Sequence, residues 1–169
     1  LVKEAGIKVD ALQFVAGHSL GEYSALAAVG SLELNDCARL LRQRGESMQA
    51  AVPIGQGAMA ALLGAEIEQV EKITQEAAQG QVCEVANDNS PGQIVISGHV
   101  DAINRAIEIA KNENIKRAVI LPVSAPFHCS LMKPSAETMK DFLENTSFQA
   151  PIVPVVFNVI AQPQKDPLS

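Results

Sequence analysis

The chain has 169 residues, of which 47% are hydrophobic and 19% charged, and its formal net charge is −6 at pH 7. This composition supports the packed core of one domain, or of one domain that carries a smaller inserted one, and is not typical of a disordered chain. The negative charge argues against a nucleic-acid-binding surface. The apolar runs are shorter than the ~20 residues that span a bilayer, and no signal peptide opens the chain. We therefore expect no nucleic-acid partner and no membrane partner.

Cysteine usage and the two ends of the chain give two further expectations. Cys37, Cys83 and Cys129 are odd in number and form no C-x-x-C pair, which predicts a reduced, cytoplasmic setting and no metal site. The chain opens on Leu1 instead of Met, residues 1–6 resemble the last turn of a helix, and a polar, proline-containing loop closes it. We therefore expect the middle of a larger domain.

A serine stands between a predicted strand and a predicted helix. Residues 17–21 read Gly-His-Ser-Leu-Gly, after the apolar run 12–16 and before the helix-like stretch 22–28. This is the pattern of a nucleophile elbow, in which the backbone N–H of Leu20 would point toward an oxyanion beside Ser19 Oγ. The alternative is a tight turn whose serine caps the helix.

The remaining pattern predicts alternating short strands and amphipathic helices. In chain order the predicted elements are helix 35–51, linker 55–57, strand 59–63, helix 66–78, strands 82–86 and 94–97 around a turn at 87–93, helix 100–111, strand 118–123, loop 124–128, helix 130–145 and strand 153–159. The order β-α-β-β-α-β within this series is that of the ferredoxin-like unit. We therefore predict that residues 57–123 form a small inserted subdomain.

A serine nucleophile needs a base, and the chain contains three histidines. His18 is expected to shape the turn beside Ser19, and His99 to cap the following helix or to face solvent. His128 lies in a loop between a strand and a helix, where catalytic groups are common. From the residues alone, His128 is either the general base or a loop histidine packed on Phe127.

Arg44 is the second informative position, because helical spacing places it on one face with Leu40, Leu41 and Met48. A guanidinium on an apolar stripe is costly unless it meets an anion, and its planar fork fits a carboxylate. Three interpretations stay open at this point: a substrate carboxylate, an internal acidic partner, or a side chain that extends to water.

Four motifs occur in order: Gly-His-Ser-Leu-Gly-Glu-Tyr-Ser-Ala-Leu at 17–26, Arg-Gly-Glu-Ser-Met-Gln at 44–49, Asn-Asp-Asn-Ser-Pro-Gly-Gln at 87–93 and Pro-Val-Ser-Ala-Pro-Phe-His-Cys-Ser-Leu-Met at 122–132. With them, essentially the whole chain resembles the malonyl-CoA–acyl carrier protein transacylase family of bacterial fatty-acid synthesis, and more distantly the acyltransferase domains of polyketide synthases. The resemblance implies an α/β fold: an α/β-hydrolase-like acyltransferase core at 1–56 and 124–169, incomplete at both ends, with a ferredoxin-like subdomain inserted at 57–123.

The resemblance also implies transfer of a malonyl group from malonyl-CoA to the phosphopantetheine thiol of acyl carrier protein, in fatty-acid biosynthesis, with no metal or other cofactor. The residues and implied roles are Ser19 as nucleophile, His128 as general base, Arg44 as holder of the malonyl carboxylate, Leu20 as oxyanion donor, and Asn87 and Gln93 near the acyl and pantetheine channel.

Two elements of the family's site do not occur in these 169 residues. One is the loop with the second oxyanion donor, a Gly-Gln-Gly-containing loop that the family places well before the serine elbow, whereas the Gly-Gln-Gly at 55–57 of this chain follows it. The other is the residue whose backbone carbonyl orients the histidine, which the family places after the point where this chain stops. An inactive fragment therefore remains one alternative. A serine esterase or thioesterase is the other, although such enzymes place an acid between serine and histidine.

Overall fold

The computed structural model describes residue 6 and residues 8–165, so the helical turn predicted at 1–6 lies almost entirely outside the described residues. Its elements are β1 Val15–Ala16, α1 Leu20–Ala28, α2 Leu34–Ala51, β2 Gly57–Leu63, α3 Ile67–Ala78, β3 Cys83–Ser90, β4 Gln93–His99, α4 Val100–Asn112, β5 Arg117–Ile120, α5 Lys133–Glu144, β6 Val155–Val156 and β7 Pro163–Gln164. Single 3-10 turns lie at Val9–Ala11 and Ser130–Met132. Within the described part of the chain, no helix is long and apolar enough to cross a membrane.

The chain divides into two compact units, which we call the elbow unit, Leu1–Arg44 with Met139–Ser169, and the sheet unit, Gly45–Thr138. In the elbow unit β1 pairs in parallel with β6, and β6 pairs antiparallel with β7. Helix α1 packs on this small mixed sheet through the buried Ala25 and, just after the helix, the C-cap residue Val29, which cluster with Val153 and Val155. This packing holds the end of β1 and the start of α1, and so positions the turn between them.

The two strands predicted for this unit were too long. Residues 12–14 do not join the sheet, because a 3-10 turn ends at Leu12 and leaves Phe14 55% exposed. The strand predicted at 153–159 ends at Val156, because the chain then turns and Ala161 N–H donates to the Phe157 carbonyl. An apolar run predicts burial, but the ladder length depends on where the chain turns.

The sheet unit contains a four-stranded antiparallel sheet in the order β3-β4-β2-β5. Its elements follow the predicted β-α-β-β-α-β order. Helices α3 and α4 bury their apolar faces against one side of the sheet, as the helical spacing of those residues predicts. The core members include Val70, Ile73, Ala77, Ile103, Ala106, Ala110, Leu62, Ile94 and Ile96.

The turn predicted at 87–93 was too long, because most of these residues belong to strands. Strand β3 continues to Ser90, with Asn87 opposite Val95, and only Pro91 and Gly92 form the turn. Register shifts in this edge strand accommodate the turn-prone residues without ending the ladder. Strand β5 ends at Ile120 instead of Val123, because the chain leaves the ladder where Val123 N–H donates to the Leu121 carbonyl.

Candidate active site

Ser19 occupies a strained backbone conformation at the turn between β1 and α1. Its φ of 53° and ψ of −107° lie outside the regions that non-glycine residues ordinarily adopt. The helix starts directly behind it, since Gly21 N–H donates to His18 O and Glu22 N–H to Ser19 O. Such strain at an exposed strand-to-helix turn is characteristic of a nucleophile elbow.

Close backbone approach makes Gly17 necessary at this turn. A Cβ atom at position 17 would lie 2.0 Å from the carbonyl carbon and oxygen of Gly21, whereas a Cβ at Gly21 would meet nothing within 4 Å. The two glycines that flank Ser19 therefore have different roles. Gly17 allows the backbone to cross the start of α1, and Gly21 is an ordinary helical position.

Arg44 lies against the serine. Its Nη2 donates a hydrogen bond to Ser19 Oγ over 2.8 Å, and the arginine is half-buried on α2. The structure therefore brings together two of the residues that the sequence singled out, both within the elbow unit. A cation at this distance stabilises negative charge on Oγ and is placed to meet an anion beside it.

Leu20 is the first residue of α1. At this position a backbone N–H has no acceptor within its own helix, and the helix dipole concentrates positive potential there. The Leu20 N–H is therefore a donor next to the Ser19 hydroxyl in the chain, and its role as an oxyanion donor stays a prediction.

Two further residues, Asn158 and Glu22, hold the elbow and were not identified from the sequence. Asn158 Oδ1 accepts the Ser19 N–H over 2.8 Å, and its Nδ2 donates to the Gly17 carbonyl over 2.7 Å. Glu22 Oε2 accepts the Asn158 backbone N–H over 2.7 Å. No local pattern links Asn158 to residues 139 positions earlier, although Glu22 falls inside the 17–26 motif.

His128 belongs to the sheet unit, has a φ of 60° and is itself exposed, although Ala125 and Pro126 of the same loop are buried. The loop is fixed on both sides of the histidine. Phe127 packs against the sheet face that carries Met59 and Val95. After His128, the Ser130 N–H and Oγ donate to the Glu84 carboxylate over 2.7 and 2.6 Å.

The other two histidines have different environments. His99 occupies the N-cap position of α4 but makes no side-chain capping bond, so that expectation was wrong. It also does not simply face solvent, because its Nδ1 accepts the Val82 N–H over 2.9 Å and ties the start of β3 to the end of β4. His18 is exposed and borders a cavity of about 320 Å³ that is also lined by Gly17 and Asn158.

Asn87 and Gln93 also belong to the sheet unit. Asn87 lies opposite Val95, and directly opposed residues of an antiparallel pair project to the same face. Gln93 shares this face because it precedes Val95 by two positions on β4. Both residues therefore lie on the sheet face on which Phe127 packs, away from α3 and α4.

The cysteines are poorly suited to act as nucleophiles. Burial raises the pKa of Cys83 to about 11, and burial also raises the pKa values of Cys37 and Cys129 above their ordinary 9.0. A protonated thiol is a weak nucleophile at neutral pH. Within residue 6 and residues 8–165, no group of three or more His, Cys, Asp or Glu side chains is arranged to hold a metal ion.

A serine on a strained strand-to-helix turn in an α/β fold is the arrangement of a nucleophile elbow, and in this chain a guanidinium lies at its hydroxyl. The chain belongs to the acyl transferase domain family, whose model matches residues 2–168.

The chain is also similar to named relatives and to solved structures. The chain is 50% identical over 157 residues to the malonyl CoA-acyl carrier protein transacylase of Escherichia coli strain K12, an alignment that covers 93% of this chain and 50% of that protein. The acyl-carrier-protein-S-malonyltransferase of Bartonella henselae superposes with a TM-score of 0.94 at 52% identity, over 99% of this chain and 54% of that one. A malonyl-transacylase in complex with its type II polyketide synthase acyl-carrier protein superposes with a TM-score of 0.93 at 44% identity, over 98% of this chain and 53% of that one. The chain thus spans about half the length of the curated relatives it matches.

Proposed function

We propose that this chain takes part in transferring a malonyl group from malonyl-CoA to the phosphopantetheine thiol of an acyl carrier protein, in fatty-acid biosynthesis. The observation that carries the proposal is the hydrogen bond of 2.8 Å from Arg44 to Ser19 Oγ, which puts a carboxylate-binding group beside a nucleophile. The names of the relatives support the choice of substrate and acceptor, since they are malonyl transacylases of acyl carrier protein.

The reaction proceeds through two displacements. Ser19 Oγ attacks the thioester carbon while His128 removes its proton, and the Leu20 N–H stabilises the oxyanion. The C–S bond then breaks, and CoA leaves as a thiol after it receives the proton from His128. The pantetheine thiol gives its proton to His128 and attacks the malonyl-serine ester, and the returning proton restores the Ser19 hydroxyl. These steps give ping-pong kinetics.

Arg44 selects the acyl group in this scheme. A single methylene separates the malonyl carboxylate from the carbon that Ser19 attacks, so the anchor has to lie close to the nucleophile. On loading, the guanidinium exchanges its bond to the hydroxyl for the substrate carboxylate. An acetyl group offers no such carboxylate, and a site built for a charged partner discriminates against an analogue that lacks it.

The finer organisation of the fold is part of the same proposal. We assign an α/β-hydrolase-like core to residues 1–56 and 124–169, and a ferredoxin-like subdomain to residues 57–123. The strand order β3-β4-β2-β5, with both helices on one face, supports the second assignment. Asn87 and Gln93 are assigned to the acyl and pantetheine channel, a role supported by their place on the face on which Phe127 packs.

The proposed chemistry calls for no cofactor, because its nucleophile, base and oxyanion donor are all protein groups. We assign the protein to the cytoplasm, where thiols stay reduced. The described structure has Cys37, Cys83 and Cys129 outside any disulfide, which is compatible with that setting.

The proposal is tested by acylation with radiolabelled malonyl-CoA, followed by addition of a phosphopantetheinylated acyl carrier protein. We expect label on the parent chain and none on Ser19→Ala, with Ser24→Ala, an exposed serine of α1, as the matched control. His128→Asn should label about 10²- to 10⁴-fold more slowly, because asparagine tolerates the positive φ but cannot act as the base. Label on Ser19→Ala, or rapid hydrolysis of uncharged esters without malonyl transfer, would overturn the proposal. Absence of label on every chain would also overturn it and would favour an inactive fragment.

A further inference from the structure

The ladder between β1 and β6 ends before it reaches the nucleophile. Its last register pair is Ala16 with Val156, and β6 then gives way to a turn. Backbone strain of the kind seen at Ser19 is unfavourable and persists only where surrounding contacts enforce it. The elbow therefore needs support from something other than the strand ladder.

The side chain of Asn158 supplies bonds where the ladder stops. Lying two residues beyond the end of β6, it accepts the Ser19 N–H with Oδ1 and donates from Nδ2 to the Gly17 carbonyl, over 2.8 and 2.7 Å. One amide thus bonds the backbone on both sides of His18. It does so with one donor and one acceptor, as a neighbouring strand would.

Glu22 determines which way this amide points. Its Oε2 accepts both the backbone N–H and the Nδ2 of Asn158. Rotating the amide by 180° would put Oδ1 against the Gly17 carbonyl and the Glu22 carboxylate, and Nδ2 against the Ser19 N–H. Because every contact would then be repulsive, only one orientation satisfies these groups.

We propose that Asn158, oriented by Glu22, is a positioning residue for the nucleophile. It holds the Ser19 backbone in its strained conformation, so that Oγ stays at Arg44 and the Leu20 N–H stays directed at the developing oxyanion. The inference rests on the proposed function, and Asn158 acts through the Ser19 backbone, with no proton or acyl group of its own to transfer.

The sharpest test is Asn158→Asp, which keeps the shape but replaces the Nδ2 donor by an oxygen facing the Glu22 carboxylate. We expect kcat for malonyl transfer to fall about 10- to 100-fold, while KM for malonyl-CoA and the preference for malonyl over acetyl change less than about 3-fold. Asn158→Ala should lower kcat in the same way without adding a charge. The matched control is Asn145→Asp, an exposed asparagine that bonds the Asp141 carbonyl, and it should leave kcat unchanged.

A double variant separates positioning from general destabilisation. In the double variant, Glu22→Gln removes the repulsion between the two carboxylates of Asn158→Asp and provides an amide that can donate to the new carboxylate. We therefore expect the double variant to recover part of the kcat lost in Asn158→Asp. A folded Asn158 variant with kcat within about 2-fold of the parent would overturn the inference. So would a double variant that is slower than Asn158→Asp alone. If Asn158→Asp does not fold, the kcat of Asn158→Ala decides.

Labelling of Ser19 by a fluorophosphonate distinguishes failure of this inference from failure of the proposed function. This probe reports the reactivity of the serine whatever its natural substrate. A parent chain that reacts with the probe but transfers no malonyl group would defeat the proposed function alone. Equal labelling rates in the parent and both Asn158 variants would defeat the positioning role alone.

Discussion

Arg44 Nη2 lies 2.8 Å from Ser19 Oγ, although 25 positions separate the two residues along the chain. Ser19 precedes α1 and Arg44 lies in the third turn of α2, and both belong to the elbow unit. One compact unit therefore contains both the hydroxyl and the cation beside it. In the proposed reaction, a group that binds Arg44 with its carboxylate is therefore held next to the atom that attacks it.

The first prediction concerns acyl selectivity. Arg44→Ala should lower kcat/KM for malonyl-CoA about 100-fold, which corresponds to about 3 kcal/mol, because a charge-assisted contact to the carboxylate is lost. Acetyl-CoA offers no carboxylate, so the ratio of malonyl to acetyl transfer should fall. Both rates are measured by transfer of label to acyl carrier protein.

Two further arginine variants sharpen this prediction. Arg44→Lys keeps the charge but not the planar fork, so we expect a ratio of malonyl to acetyl transfer between those of the parent and Arg44→Ala. Arg39→Ala removes an exposed arginine of α2 that pairs with the half-buried Asp36, and surface pairs of this kind contribute little. A malonyl-to-acetyl ratio that is the same in Arg44→Ala and Arg39→Ala would refute the anchoring role.

The second prediction concerns the glycines beside Ser19. In Gly17→Ala the new methyl group overlaps the Gly21 carbonyl, so the backbone must shift and the elbow geometry must change. We expect both a lower free energy of unfolding, by about 2 kcal/mol or more, and loss of Ser19 labelling. Gly21→Ala has open space around its new methyl and should be neutral or slightly stabilising, since alanine favours helix more than glycine.

Urea unfolding and fluorophosphonate labelling of the two alanine variants measure both effects. Equal behaviour of the two variants would show that the close approach at position 17 does not constrain the elbow.

The third prediction concerns alkaline stability. Burial raises the pKa of Cys83 to about 11, whereas the thiol ionises near 9.0 in an unfolded chain. The unfolded state therefore loses its proton first, and the stabilisation present below pH 9 disappears as the pH rises toward 11. The free energy of unfolding should fall over that interval, with a contribution from Cys83 on the order of 2 kcal/mol.

Cys83→Ala tests the assignment of this effect. Urea unfolding at pH 8 and at pH 10.5 should show a smaller difference in the variant than in the parent. Some pH dependence of the free energy of unfolding should remain in the variant, because burial also raises the pKa values of Tyr23 and Cys37. An identical pH dependence in parent and variant would mean that another group is responsible.

Much of the secondary structure was predictable because its signals are local. The predicted ends of α2, α3 and α4 each lie within one residue of the ends in the structure. Apolar residues at helical spacing and flanking Pro and Gly residues mark these helices in the sequence. The extent of β3 was not predictable in the same way. Its residues 87–90 are typical of turns, and pairing with β4 overrides that preference.

The candidate site also has features that local sequence predicts and features that depend on tertiary packing. The sequence by itself determined that Ser19 stands at a strand-to-helix turn between glycines, because strand, turn and helix signals all lie within a few residues of it. It also marked Arg44 as a cation on an apolar helix face, but left its partner open. Only the tertiary structure decided that this partner includes Ser19 Oγ, and that Asn158 and Glu22 hold the elbow. The physical reason is that a hydrogen bond needs a donor and an acceptor within about 3 Å, and only packing brings residues far apart in the chain to that distance.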